Sequence, residues 1–156
     1  MNRYIEPVTT TLENCGLNLD QAIVFGGSVL AIHGIRKAND VDLLVDLDVF
    51  KHIEQASQLP NGQSVEIKET RIRGVTYPPR LVTPDRVTPG GLRVDLSVPY
   101  DLEEELAKTD QLTVDGLTLH CRTLAAIRKA KSCGTGRPKD LIDIWKINRH
   151  LRSTSV

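Results

Sequence analysis

The feature that most constrains this chain is an apolar strand broken by two glycines and followed by alternating acids. Ala22-Ile23-Val24-Phe25 reads as a short buried strand, and Gly26-Gly27-Ser28 ends it. Paired glycines allow a sharp turn and let a ligand approach the main chain closely. Ser28 suits the cap of a short helix over 29–34. After a spacer of about a dozen residues, Asp40-Val41-Asp42-Leu43-Leu44-Val45 forms a second strand. This arrangement fixes two things. The helix N-terminus aims free N–H groups and a positive dipole end at one spot, which suits phosphate, and Ser28 adds a hydroxyl donor. Side chains two apart on a strand point the same way, so Asp40 and Asp42 share a face roughly 6–7 Å apart.

Two carboxylates so placed repel each other, and a divalent cation between them removes the repulsion. Magnesium is the natural candidate, with manganese in its place, because it takes carboxylate, water and phosphate oxygens. The plainer alternative is that Asp40 ends the Asn39 turn while Asp42 faces solvent on an edge strand. Asp95 is a third acid, in the alternating run Leu92–Val98, where Arg93, Asp95 and Ser97 share one face. If that run lies beside Asp40–Val45, the three acids converge. Asp95 then helps to hold a second ion, or acts as general base toward a hydroxyl. Asp46 and Asp48 suit loop and capping roles, with Asp48 capping a helix that runs to about Gln58.

The rest of the chain reads as an α/β core with a helical tail. Val8, Leu12 and Cys15 mark a first helix that Gly16 ends. Ser64–Lys68 alternates like a strand, and Arg71–Tyr77 reads as another, stopped by Pro78-Pro79. Thr83–Gly91 reads as a loop and Asp101–Lys108 as a helix. Asp115-Gly116 between Leu112–Val114 and Leu117–His120 predicts a type I′ hairpin. Leu124, Ile127 and Ala130 predict a helix, and Gly134-Thr135-Gly136 breaks the chain. Pro138 suits the first turn of a last helix whose buried face is Leu141, Ile144, Trp145 and Leu151. The expected division is a core over 1–121 and a helical extension over 122–156, or one continuous domain.

Composition narrows the function. Twenty Lys and Arg balance twenty Asp and Glu in 156 residues, so no global field attracts nucleic acid or anionic membrane, and phosphate recognition must be local. Few aromatics weaken the case for a long nucleic acid further. Cys15, Cys121 and Cys133 are an odd, widely spaced set without zinc spacing, as expected of reduced thiols. No leader-like apolar region opens the sequence and no apolar run approaches the roughly 20 residues of a membrane span, so a cytoplasmic protein is expected. The scattered His33, His52, His120 and His150 make no ligand pattern, and no Gly-x-Ser-x-Gly elbow is present.

An apolar residue, Gly-Gly-Ser, a spacer and Asp-apolar-Asp-apolar together resemble the polymerase-β-like nucleotidyltransferase superfamily. Leu92–Val98 resembles its third-acid strand. The likeness is nearest to small stand-alone bacterial and archaeal members, both lincosamide-resistance enzymes and abortive-infection toxins. It extends through Val114-Asp115-Gly116-Leu117 and Leu124–Ile127 to Gly136-Arg137-Pro138-Lys139-Asp140-Leu141-Ile142-Asp143. The resemblance implies an α+β nucleotidyltransferase fold, with a small mixed sheet flanked by helices and a C-terminal helical region. It implies that Gly26, Gly27 and Ser28 bind the phosphates of a nucleoside triphosphate such as ATP. Asp40 and Asp42 would hold magnesium, and Asp95 would complete the metal site and activate the acceptor. A nucleoside monophosphate would pass to a hydroxyl, with release of pyrophosphate. The acceptor would be a small molecule, a protein side chain or an RNA end. The setting would be resistance, or toxin–antitoxin defence with a cognate antitoxin or regulator.

Several cations stand near these segments. Arg128, Lys129 and Lys131 compete for one nucleotide-facing position, and Arg36 and Lys37 are further phosphate candidates. Arg137 and Lys139 either contact the triphosphate or pair with Asp140 and Asp143 and pin the helical tail. The rival readings are an inactive nucleotidyltransferase-like regulatory or partner-binding module and a metal-dependent phosphohydrolase.

Overall fold

The broken-strand unit forms as its residues dictate. In a computed structural model describing residues 4–99, 101–133 and 137–154, β1 (Ala22–Val24) enters a turn at Gly26, whose φ of 59° is one that a side chain disfavours. Helix α2 (Gly27–Ile32) follows, then β2 (Asp40–Val45), which returns antiparallel beside β1. Ahead of them lies α1 (Ile5–Asn14), with Val8, Thr11 and Leu12 buried at helical spacing.

After β2, α3 (Leu47–Ala56) starts from Asp46, which holds the extended entry conformation. Asp48 sits inside the first turn rather than at the cap. Next come β3 (Glu66–Lys68) and a small separate hairpin of β4 (Arg71–Ile72) and β5 (Val75–Thr76), turning through left-handed Arg73 and Gly74. The single strand expected over 71–77 is therefore two. Strand β6 (Arg80–Val82) follows the proline pair and β7 (Arg93–Ser97) follows a loop. Helix α4 (Leu102–Leu106) is capped by the Asp101 carboxylate, which accepts from the Glu104 N–H at 3.1 Å. Strands β8 (Asp110–Val114) and β9 (Leu117–Cys121) meet at Asp115 and Gly116, both with positive φ, as a type I′ turn requires. Helices α5 (Leu124–Ser132) and α6 (Pro138–Thr154) complete the described chain. The expected break at Gly134-Thr135-Gly136 lies outside the described residues.

Seven strands form one mixed sheet in the order β3-β6-β7-β2-β1-β9-β8. β2 runs parallel to β7 and β1 parallel to β9; the other neighbours are antiparallel. Val41, Leu43, Leu81, Val94 and Leu96 turn to one face and are fully or almost fully buried in a core shared with Val8, Leu12 and Leu30. The opposite face of β2, β7 and β6 is thereby left to Asp40, Asp42, Asp95 and Arg80. Among the described residues no helix is long and apolar enough to cross a membrane.

The last helix departs from its expected packing. Leu141 and Trp145 were expected in the core, but they are 62% and 55% exposed. Asp140, Asp143 and Ile147 face inward instead. Helical spacing fits either face, and the ion pairs made by the two aspartates decide which one is buried.

Candidate active site

The parallel pairing of β2 with β7 sets Asp42 opposite Asp95 and Asp40 opposite Arg93. Neighbouring strands lie about 4.8 Å apart, so the three acids expected from the sequence do share one patch of one face. Asp95 is only 4% exposed, and Asp40 and Asp42 are half-buried. Burial raises the Asp42 carboxyl to about 7, with repulsion from Asp95 and then Asp40 adding to it. Burial also raises Asp95, to about 6; Arg80 opposes the rise, Asp40 adds to it and Lys68 opposes it.

Arg80 is the site residue that the sequence reading missed. Its guanidinium donates to Asp95 Oδ2 at 2.5 Å, reaching across from the neighbouring strand. The alternation of Arg80 with Leu81 after the prolines was the available signal. The other carboxylate oxygen, Asp95 Oδ1, is buried without a hydrogen-bond partner among the described residues. A buried carboxylate oxygen left unpaired carries a desolvation cost of about 1–3 kcal/mol or more, so it marks a place where a partner belongs.

The glycine turn abuts this patch. A Cβ on Gly26 would lie 3.0 Å from Asp42 Oδ2, and one on Gly27 would lie 2.9 Å from Arg36 Nη2. The turn is thus fitted to the acid on one side and to an arginine on the other. Arg36 is in turn held by Asp143 of α6 through two bonds of 2.7 and 3.0 Å, and it donates to the Lys37 carbonyl at 2.8 Å. Lys131 reaches Asp143 at 2.9 Å and Asp140 at 3.4 Å. Burial pushes Asp143 up, but hydrogen bonds from Arg36 and Lys131 outweigh it and hold the carboxyl below its ordinary value.

Ser28 is a correction. It is fully buried, one residue inside the helix rather than at its cap, which is Gly26. Its Oγ accepts from the Asp42 N–H at 2.8 Å and donates to the Asp40 carbonyl at 3.0 Å. The Tyr4 hydroxyl lies 2.5 Å from the same oxygen and also donates to the Asp40 carbonyl. The hydroxyl expected to face phosphate therefore ties α2 and α1 to the acid-bearing strand. Tyr4 left no signal in the sequence, because nothing local links it to residues 28 and 40.

The remaining candidates divide. Lys131 joins the Asp143–Arg36 network beside the glycine turn, whereas Arg128 donates to Asn148 at 2.9 Å and Lys129 is exposed. Arg137 is 58% exposed at its side chain and pairs with Asp140 at 3.3 Å; Lys139 is exposed. Arg36 and Lys131, rather than Arg137 and Lys139, tie the last helix to the core. Gly136 lies outside the described residues.

No family model and no curated protein matches this sequence. Among solved structures, an antigenic nucleotidyltransferase-like protein from Paracoccidioides brasiliensis is similar, with a TM-score of 0.51 and 19% identity over 97% of this chain and 76% of that one. The fold is nucleotidyltransferase-like. The likeness covers nearly the whole of this chain.

Asp40, Asp42 and Asp95 are the residues that could hold a metal. No three His, Cys, Asp or Glu side chains among the described residues stand close enough to grip an ion as placed, and Arg80 pairs with Asp95. In donor type they fit a hard divalent cation: carboxylate oxygens only, one of them orphaned.

Proposed function

We propose that this protein is a magnesium-dependent nucleotidyltransferase, moving a nucleoside monophosphate from a nucleoside triphosphate to an acceptor hydroxyl. The observation that carries the reading is the pairing of Asp42 with Asp95 across β2 and β7, with Asp95 Oδ1 unpartnered among the described residues and Gly26 of the turn against Asp42. Asp40, Asp42 and Asp95 would hold the magnesium, which when bound supplies charge neutralisation at the phosphates. The free N–H groups at the start of α2 bind phosphate oxygens, and the absence of a side chain on Gly26 and Gly27 lets them come close. Asp95 would also accept the acceptor's proton. Arg36 and Lys131 keep the turn in position. Positioning and charge neutralisation of this kind account for most catalysis of phosphoryl transfer. A small-molecule hydroxyl, a protein side chain and an RNA end are all compatible acceptors, and a cytoplasmic role beside a cognate antitoxin or regulator fits the same reading.

Incubation with each α-labelled nucleoside triphosphate, magnesium and cell extract should yield pyrophosphate and a labelled acceptor. The signal should vanish with Asp42→Asn or chelator. Label transfer by Asp42→Asn at the wild-type rate would refute the proposal. A second reading, an inactive nucleotidyltransferase-like module, is favoured by Ser28 being sealed inside and by Arg80 engaging Asp95. It predicts no transfer with any of the four triphosphates.

A further inference from the structure

The zero net charge conceals a division. Residues 1–121 carry eleven Lys and Arg against eighteen Asp and Glu, while residues 122–156 carry nine against two. Those two, Asp140 and Asp143, are buried in ion pairs. The surface of α5 and α6 is therefore almost purely basic. On it α6 exposes Leu141, Ile142 and Trp145, the second of them 53% exposed, and the Arg149 guanidinium lies 5.5 Å from the Trp145 ring centre. Positions 141, 142, 145 and 149 fall on one side of a helix, so they form a single apolar ridge with a cationic end.

A complementary shape exists elsewhere on the molecule. Where β2 and β7 end, a cleft of about 480 Å³ opens, with apolar walls that include Val45, Val98 and Leu102 and acids Asp46, Asp101 and Glu103. Ridge and cleft lie at opposite poles. The Arg36–Asp143 pair fixes the first half of α6 beside Gly27, near the start of β2, whereas the cleft sits at the far end of that strand, about 17 Å away. One molecule cannot fill its own cleft.

We propose that the α6 ridge of one copy seats in the acidic cleft of the next, so that the protein self-associates head to tail. Opposite charge on the two surfaces selects a second copy as the occupant, and the large apolar side chains supply the buried contact. Because ridge and cleft are different patches, the contact is heterologous and builds open chains or rings rather than a two-fold pair. The inference rests on charge and shape alone and is independent of any transfer activity.

Analytical ultracentrifugation of the purified chain tests it, from about 5 to 200 μM and in about 50 mM and about 0.5 M salt. Average mass should rise with concentration at low salt and fall toward monomer at high salt. Trp145→Ser should weaken association at least about tenfold, the loss of a well-buried anchor. Arg149→Glu and Glu103→Lys lie at exposed positions and should each give monomers with unchanged circular dichroism. Mixed together they should associate again, because the intact ridge of one meets the intact cleft of the other. A wild-type chain that stays monomeric overturns the proposal, including one whose basic face binds a labelled RNA oligonucleotide instead. Association that survives Glu103→Lys but not Trp145→Ser also overturns it, since that would be ridge packed on ridge.

Discussion

Asp42→Asn should make the metal-free protein more stable, and increasingly so as pH rises. The Asp42 carboxyl is raised from 3.8 to about 7 by burial first, then by Asp95 and Asp40. A carboxyl whose folded value lies above its unfolded value holds its proton more tightly in the folded state, so deprotonation destabilises the fold. The destabilisation is absent below the unfolded value and complete above about pH 7. At about 1.4 kcal/mol per pH unit, the interval from 3.8 to about 7 corresponds to about 4 kcal/mol. The asparagine brings an amide that must find its own partners in the same half-buried place, which reduces the expected gain to about 1–3 kcal/mol at pH 8. Urea unfolding of both proteins with chelator, at pH 4.5 and pH 8, measures the difference directly. In acid the variant should be no more resistant than the wild type, and in base it should be the more resistant. Magnesium added at pH 8 should close the gap by stabilising the wild type alone. A variant equally or less stable at pH 8 would refute the claim that Asp42 is held ionised at a cost, and with it the physical argument for a cation.

Three further outcomes follow from the same network. Arg80→Gln should move the Asp95 carboxyl further above about 6, since Arg80 opposes its rise, and a carbon-detected NMR titration of that carboxyl checks the direction. Asp143→Asn should cost about 3 kcal/mol in urea unfolding at pH 7, because it leaves Arg36 and Lys131 without their shared buried partner. Asp143 is held below its ordinary value, so its contribution is present above the unfolded value and lost as pH falls through the folded one; the variant should differ least in strong acid. Gly26→Ala should cost about 1–2 kcal/mol from positive φ alone. It should also weaken triphosphate binding measured by calorimetry, since the added methyl would stand 3.0 Å from Asp42 Oδ2.

The sequence showed what local pattern can show. The bounds of β2 and the type I′ hairpin follow from alternation and turn chemistry, which act over a few residues; the approach of Asp95 to the acid pair depends on β7 lying beside β2, which alternation alone does not specify. Arg80 stayed hidden because a three-residue strand behind two prolines leaves little periodicity to read. Trp145 was misplaced because its spacing suits either face of α6, and the choice belongs to a pairing between residues 107 positions apart. Ser28 has the residue type of a cap or a phosphate donor. Only the arrival of Tyr4 and β2 shows that its hydroxyl is already engaged.

That long pairing has a consequence for how the molecule comes into being. Tyr4 underpins the acid strand from one side, and Asp143 steadies the glycine turn from the other through Arg36. During synthesis from the N-terminus, β1, α2 and β2 emerge early, but Arg36 beside the turn lacks its Asp143 brace until residue 143 has left the ribosome. A nascent chain shorter than that would carry its acids in an unbraced setting. The candidate site is thereby fully braced only when nearly the whole described polypeptide has been made.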